Sequence, residues 1–172
     1  ELVEQIMQMN NGKYLEEDLE SAHKTNFSIG VAGYPEKHAE SMSLNTDLDY
    51  LKKKIDAGAE YIVTQMFFDN DKFFHFVDQC RAIGIDVPII PGLKPITTLN
   101  HIKFLPKTFA ISFPDDLASE LVKCKDNAAV RQVGIEWSIN QSKELIKSGV
   151  PSLHFYTMGR SNVTKQIAEA IY

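Results

Sequence analysis

The sequence predicts an α/β fold on a parallel sheet, best read as part of a (β/α)8 TIM barrel, with about four βα units in this chain of 172 residues. Three observations lead there. Four short, near-continuous apolar runs alternate with helix-length amphipathic segments, as expected of strands joined by helical crossovers and covered on both faces. No run is followed by Gly-x-Gly-x-x-Gly or by Gly-x-x-x-x-Gly-Lys-Ser/Thr, which removes the usual sequence support for a nucleotide-binding open sheet. Polar groups, Gln65, Asp69 and Arg160 among them, fall at the C-terminal ends of the runs, where barrels carry their active sites.

Residues 1–26 read as a helix and a loop, with Leu2, Ile6 and Met7 on one helical face and Asn10-Asn11-Gly12 as the stop. The first strand runs to Gly33 from Phe27 and is closed by Tyr34-Pro35. Its helix carries Leu44, Leu48, Leu51 and Ile55 in one stripe and stops at Gly58. Tyr61 to Phe68 is the second strand, and Phe73, Val77 and Cys80 mark a helix that ends at Gly84. Val87 to Leu93 is the third strand. A short helix starts near Thr97 or Thr98, and another at Pro114, where proline suits the first turn and Leu117, Leu121 and Cys124 form the face. A long helix spans Ala128 to Lys147. Ser152 to Met158 is the fourth strand, and Ser161 or Asn162 caps a last helix through Ile171. Residues 1–172 read as a single domain.

Composition excludes several function classes. Lys+Arg 18 against Asp+Glu 23 gives a net charge of −5, and the one basic run is Lys52-Lys53-Lys54, so a nucleic-acid partner is not expected. No window approaches the 18 or so consecutive apolar residues of a membrane span, and no basic-then-apolar leader opens the chain; a cytoplasmic protein with no membrane partner is expected. Cys80 and Cys124 are far apart without a Cys-x-x-Cys pattern, so both read as buried thiols. Histidines at 23, 38, 75, 101 and 154 lack metal-ligand spacing; no metal is expected, and His154 reads as a packed strand residue.

The loop after the first strand offers an aromatic, an imidazole and a hydroxyl in Tyr34, His38 and Ser41. In the following helix Asp47, Tyr50 and Lys54 share a face at i, i+3, i+7, with Lys53 beside them. An acid that can accept from a ribose hydroxyl thus lies about 10 Å along the axis from ammonium groups that can meet phosphates, an arrangement suited to an extended dinucleotide. The alternative is an ordinary solvated helix face. Gln65 is an amide within an apolar strand, needing partners that either a ligand or the core can supply. Phe67, Phe68, Phe73 and Phe74 read as core. Arg160 follows the fourth strand, where its planar fork can take a carboxylate or cap the strand end.

In series, Val31-Ala32-Gly33-Tyr34-Pro35-Glu36-Lys37-His38, Lys54-Ile55-Asp56-Ala57-Gly58-Ala59, Thr64-Gln65-Met66-Phe67-Phe68-Asp69, Ile90-Pro91-Gly92-Leu93 and His154-Phe155-Tyr156-Thr157-Met158-Gly159-Arg160 resemble the methylenetetrahydrofolate reductase family in order and spacing from about Phe27 onward. The resemblance implies an eight-stranded barrel of which this chain is the second half, strands five to eight. It implies FAD contacts from Tyr34, His38, Ser41, Asp47, Tyr50, Lys53 and Lys54, with Tyr50 where the family often has a smaller amide. It implies substrate contacts from Gln65, Arg160 and His101, the last where the family usually has an amide, and a stacking aromatic near Phe104 or Leu105. The implied reaction is FAD-dependent reduction of 5,10-methylenetetrahydrofolate to 5-methyltetrahydrofolate by NADH or NADPH. The family's general-acid glutamate is expected upstream of Glu1, so no catalytic residue is expected in this chain, and the chain alone is expected to be inactive.

Two rival readings accompany this one. Half a barrel exposes two strand edges, which suits a non-catalytic assembly module or a homo-oligomer. A flavin-free pterin-binding barrel is the other.

Overall fold

The computed structural model describes residues 1–16, 19–159 and 161–172. Among them the order is α1 (Leu2–Asn10), β1 (Gly30–Gly33), α2 (Leu44–Asp56), β2 (Tyr61–Thr64), α3 (Asn70–Ala82), β3 (Ile89–Ile90), β4 (Gly92–Leu93), α4 (Leu99–Phe109), α5 (Asp115–Lys123), α6 (Asn127–Lys147), β5 (His154–Phe155) and α7 (Asn162–Ile171). All pairings are parallel: β1 with β2, β2 with β3, and β4 with β5. The α/β class and the parallel strands are those expected.

The strands are shorter than their apolar runs. The single third strand expected from Val87 to Leu93 is split at Pro91, which has no N–H to give a ladder. Its first half pairs with β2 and its second with β5. Side chains bridge the gap: Thr64 Oγ1 accepts from the Gly92 N–H at 2.9 Å, and the Tyr156 hydroxyl donates to the Thr64 carbonyl at 2.9 Å. The approach is close enough that a Cβ on Gly92 would lie 2.0 Å from the Thr64 carbonyl oxygen.

Helix starts follow local chemistry. Ser43 accepts from the Thr46 N–H, Asp69 from Asp71 and Asp126 from Ala129, each satisfying a first-turn donor. α2 stops before Gly58, whose φ of +114° favours glycine. α1 departs from expectation in phase: Leu2 is 69% exposed, and Val3, with Ile6 and Met7, packs on Ile29 and Ala59 instead.

Helices α2 and α3 lie on one face of the first sheet, where Leu48, Leu51, Ile62, Phe73, Phe76, Cys80 and Ile89 form the main core. Each fully buried Phe there contributes roughly 2 kcal/mol of burial. Beyond β2 the extended chain turns successive rings to opposite sides: Phe67 joins this core, and Phe68 joins a second one with Ile96, Leu105, Leu117, Leu121 and Val130. The expectation of a sheet covered on both faces is not met. In the register Gly30, Ala32, Tyr61, Val63 and Ile90 share the other face, and they are exposed or half-buried. His154 is exposed, with its ring packed edge-on against Tyr156 at 4.7 Å between centroids. Cys80 is buried as expected, whereas Cys124 is half-buried, its thiol near the Glu120 carbonyl.

Candidate functional site at the C-terminal ends of the strands

The loop leaving β1 folds on local bonds. Pro35 fixes a turn in which the Lys37 N–H reaches the Tyr34 carbonyl at 3.3 Å, and Lys37 itself takes a left-handed φ of +89°. The chain then presents the His38 N–H to the Asp47 carboxylate at 2.6 Å. The His38 ring packs edge-on against Tyr34 with centroids 4.7 Å apart, and its Nδ1 accepts from the Glu40 N–H. Ser41 donates its hydroxyl to the Ser43 carbonyl. Tyr34, His38, Ser41 and Asp47 are therefore one cluster at the start of α2. Burial, and then the Asp47 carboxylate, hold the Tyr34 hydroxyl above the usual tyrosine range.

Further along α2, Tyr50, Lys53 and Lys54 line a cavity of about 710 Å³ with Val31, Ala32 and the first residues of α1. The Lys53 ammonium sits over the Tyr50 ring, 5.0 Å from its centroid. The seven residues expected at a cofactor thus fall in two groups, Tyr34, His38, Ser41 and Asp47 in the loop after β1 and the first turn of α2, and Tyr50, Lys53 and Lys54 further along the helix. That donor set matches a ligand with hydroxyls at one place and phosphates at another.

A second cavity, of about 630 Å³, opens beyond β2, β4 and β5. Gln65, Met66, Lys94, His101, Phe104 and Tyr156 are among its walls. Gln65 stands just past β2 rather than inside a strand; its Oε1 accepts from the Met66 N–H at 3.0 Å. His101 Nδ1 accepts from the Thr97 N–H at 3.3 Å. Of the two neighbours Phe104 and Leu105, Leu105 is 2% exposed and belongs to the core, while Phe104 is 48% exposed and offers its ring. Arg160 lies outside the described residues.

Three contributors were not singled out from the sequence. Tyr156 spans the gap to Thr64, and burial, followed by Tyr34, raises its pKa. Lys94 donates to the Tyr156 carbonyl at 2.9 Å. Glu36 ties the β1 loop to the segment after α4. A polar residue directly after an apolar run was the available signal for Lys94, which follows Leu93, whereas Tyr156 lies within its run. Among the described residues no group of three or more His, Cys, Asp or Glu could hold a metal ion. No described helix is long and apolar enough to cross a membrane.

Parallel strands with helices on one face, polar residues in the loop after β1 and a cavity beyond β2, β4 and β5 define the class: an α/β protein whose candidate site is built on strand ends. The sequence matches the methylenetetrahydrofolate reductase family over residues 3–172, and the chain belongs to that family. It is 42% identical over 157 residues to methylenetetrahydrofolate reductase 2 of Saccharomyces cerevisiae, covering 89% of this chain and 26% of that protein. It is 37% identical over 146 residues to 5,10-methylenetetrahydrofolate reductase of Escherichia coli, covering 84% of this chain and 49% of that protein. The chain therefore spans half or less of these relatives' length. A solved structure, an uncharacterized protein from Clostridium thermocellum described as binding two copies of 5-methyl-5,6,7,8-tetrahydrofolic acid, shares the fold with a TM-score of 0.54 at 20% identity, over 84% of this chain and 52% of that one.

Proposed function

We propose that residues 1–172 are one domain, the second half of a (β/α)8 barrel, in an enzyme that reduces 5,10-methylenetetrahydrofolate to 5-methyltetrahydrofolate with NADH or NADPH through FAD. The observation that carries this reading is the donor set along α2, with Tyr34, His38, Ser41 and Asp47 clustered at its start and Tyr50, Lys53 and Lys54 toward its end, beside an amide- and aromatic-lined cavity beyond β2, β4 and β5.

In this reading Tyr34, His38, Ser41 and Asp47 hold the sugar portion of FAD, and Tyr50, Lys53 and Lys54 its phosphates. When bound, FAD supplies hydride transfer between nicotinamide and folate, and the protein supplies orientation. Gln65, His101, Arg160 and the Phe104 ring hold the folate, and Gln65 holds the nicotinamide in its turn. The general acid is not among these residues. The open sheet face of Gly30, Ala32, Tyr61, Val63 and Ile90 is the inner wall of the barrel, to be covered by the other strands. A cytoplasmic location accompanies this reading.

The test is made on the protein with its upstream half. Replacing both Asp47 and Lys54 by Ala is expected to abolish the yellow colour and flavin absorbance of the purified protein; full retention refutes the assignment. Among the described residues the edges of β1 and β5 are unpaired, which favours one second reading, a homo-oligomeric assembly module. Gel filtration of the 172-residue chain separates the two, a discrete dimer supporting assembly and aggregation supporting a truncated enzyme. Flavin absorbance in the longer protein excludes a flavin-free pterin-binding barrel.

A further inference from the structure

Glu36 carries an acidic side chain only 9% exposed, and it is surrounded by donors from two distant parts of the chain. Its carboxylate accepts from the Ser112 N–H at 3.2 Å and from the Ser112 hydroxyl at 2.7 Å, and it pairs with the Lys72 ammonium, which also reaches Ser112. Neither Lys72 nor Ser112 lines the two cavities. Ser112 is flanked by Ile111, buried in the second core, and by Phe113, whose ring packs on Phe68 with centroids 4.8 Å apart. The anchor point is rigid. On the other side, Glu36 directly precedes Lys37, the strained residue at φ +89°, and His38, which meets Asp47. A non-glycine residue holds that conformation only when its surroundings over-determine it.

We propose that Glu36 is a positioning residue, which clamps the loop carrying Tyr34 and His38 to the segment between α4 and α5 so that the cluster at the start of α2 and the α4 wall of the second cavity are held as one unit. The side chains of α4, His101 and Phe104 among them, wall the second cavity, and the segment Ala110 to Phe113 is the direct continuation of that helix. The ligands at the two walls rest on the reading above; the clamp itself does not.

The experiment uses the full-length protein. Amide hydrogen exchange is followed at Lys37, His38, Glu40 and Ser41, all hydrogen-bonded in the loop, with Leu51 to Ile55 of α2 as the internal reference. Glu36→Ala and Lys72→Met are each expected to speed loop exchange at least tenfold while the reference stays unchanged. Glu36→Gln, which keeps an oxygen for the Ser112 N–H, is expected to recover most of the protection. Unchanged loop exchange overturns the proposal, and so does equal acceleration in α2, which marks a general loss of stability. Lys72 is partly exposed, so Lys72→Met keeps the test alive should Glu36→Ala fail to fold. In the second arm Lys72→Met weakens both flavin retention and folate affinity at least threefold although it touches neither cavity; a change in one alone overturns the coupling. Wild-type protein without flavin defeats the functional reading, and the exchange arm still decides the clamp.

Discussion

The two sites are built in different ways. The one at the start of α2 is held mainly by bonds between residues within nine positions of each other, such as His38 with Asp47, Ser41 with Ser43 and Ser43 with Thr46, with Glu36 tying its loop to Lys72 and Ser112 from farther away. The one beyond β2, β4 and β5 is assembled from segments far apart, with Thr64 bonded to Tyr156 across 92 positions and the Leu99 N–H capped by Asn127 across 28. A local site can form as its helix forms, whereas a distributed one depends on the packing of the whole sheet. Substitutions should therefore have contained effects on the first and far-reaching effects on the second.

The sharpest way to break that contrast is Gly92→Ala. The added Cβ would meet the Thr64 carbonyl at 2.0 Å and the Tyr156 ring at 2.8 Å, and the first of these is backbone that cannot swing aside. The expected cost exceeds about 3 kcal/mol, at the large end for a single substitution. Thermal unfolding of the full-length protein should show a fall in Tm of several degrees or more, or insoluble protein. A Tm within a degree of wild type would mean that the gap between β2 and β4 is loosely closed.

A pH jump probes the core beneath the local site. Burial raises the Cys80 thiol from 9.0 to about 11, with Arg81 opposing. The folded state thus holds its proton to higher pH than the unfolded chain does. The resulting stabilisation, roughly 3 kcal/mol, is fully present below pH 9 and is lost as pH rises through 11. Denaturant unfolding at pH 8 and pH 11 should show this loss, and Cys80→Ala should flatten the part of it that begins below pH 10. Above that, Tyr34 and Tyr156 act in the same direction, since burial raises both.

Tyr156→Phe removes the hydroxyl that crosses from the residue after β5 to the Thr64 carbonyl. The expected cost is about 1–2 kcal/mol, with the partner carbonyl left short of a donor. Because the bond spans the two sheets, hydrogen exchange should quicken at both Gly92 and Tyr156. Acceleration confined to β5 would show that Lys94, bonded to the Tyr156 carbonyl, holds the strand by itself.

What was legible in the sequence follows the same division. The α2 stripe, its Gly58 stop and the i, i+3, i+7 face of Asp47, Tyr50 and Lys54 are consequences of helical period, so they could be read from spacing. The grouping of Tyr34, His38, Ser41 and Asp47 came within reach because a short loop leaves few other places for them. The break at Pro91 was hidden because Ile-Pro-Gly-Leu is apolar throughout, and hydropathy does not register a missing N–H. β2 and β5 end early because their last apolar residues are held by side-chain bonds and packing, which leave no period. The misplaced phase of α1 has a simple cause: Leu2 and Val3 are both compatible with Ile6 and Met7, and only Ile29 and Ala59, brought in from elsewhere, select Val3. Glu36 was visible only as part of a motif, since its partners Lys72 and Ser112 lie 36 and 76 positions away.

The smallest effect is expected at Ser43, and it tests whether the local site is contained. Its hydroxyl accepts from the Thr46 N–H at 3.1 Å and shares a hydrogen bond with the Thr46 hydroxyl, so it closes the first turn of α2. Ser43→Ala should cost about 1 kcal/mol, the usual value of a lost N-cap, and Ser43→Asp should restore it because a carboxylate at a helix start also favours the dipole. The frayed turn contains Asp47, so exchange at the His38 amide should rise with it while Gly92 and Tyr156 keep their protection. Equal acceleration at Gly92 would show that the start of α2 supports the distributed site after all, with the Glu36 contact to Ser112 as the shortest bonded route between them.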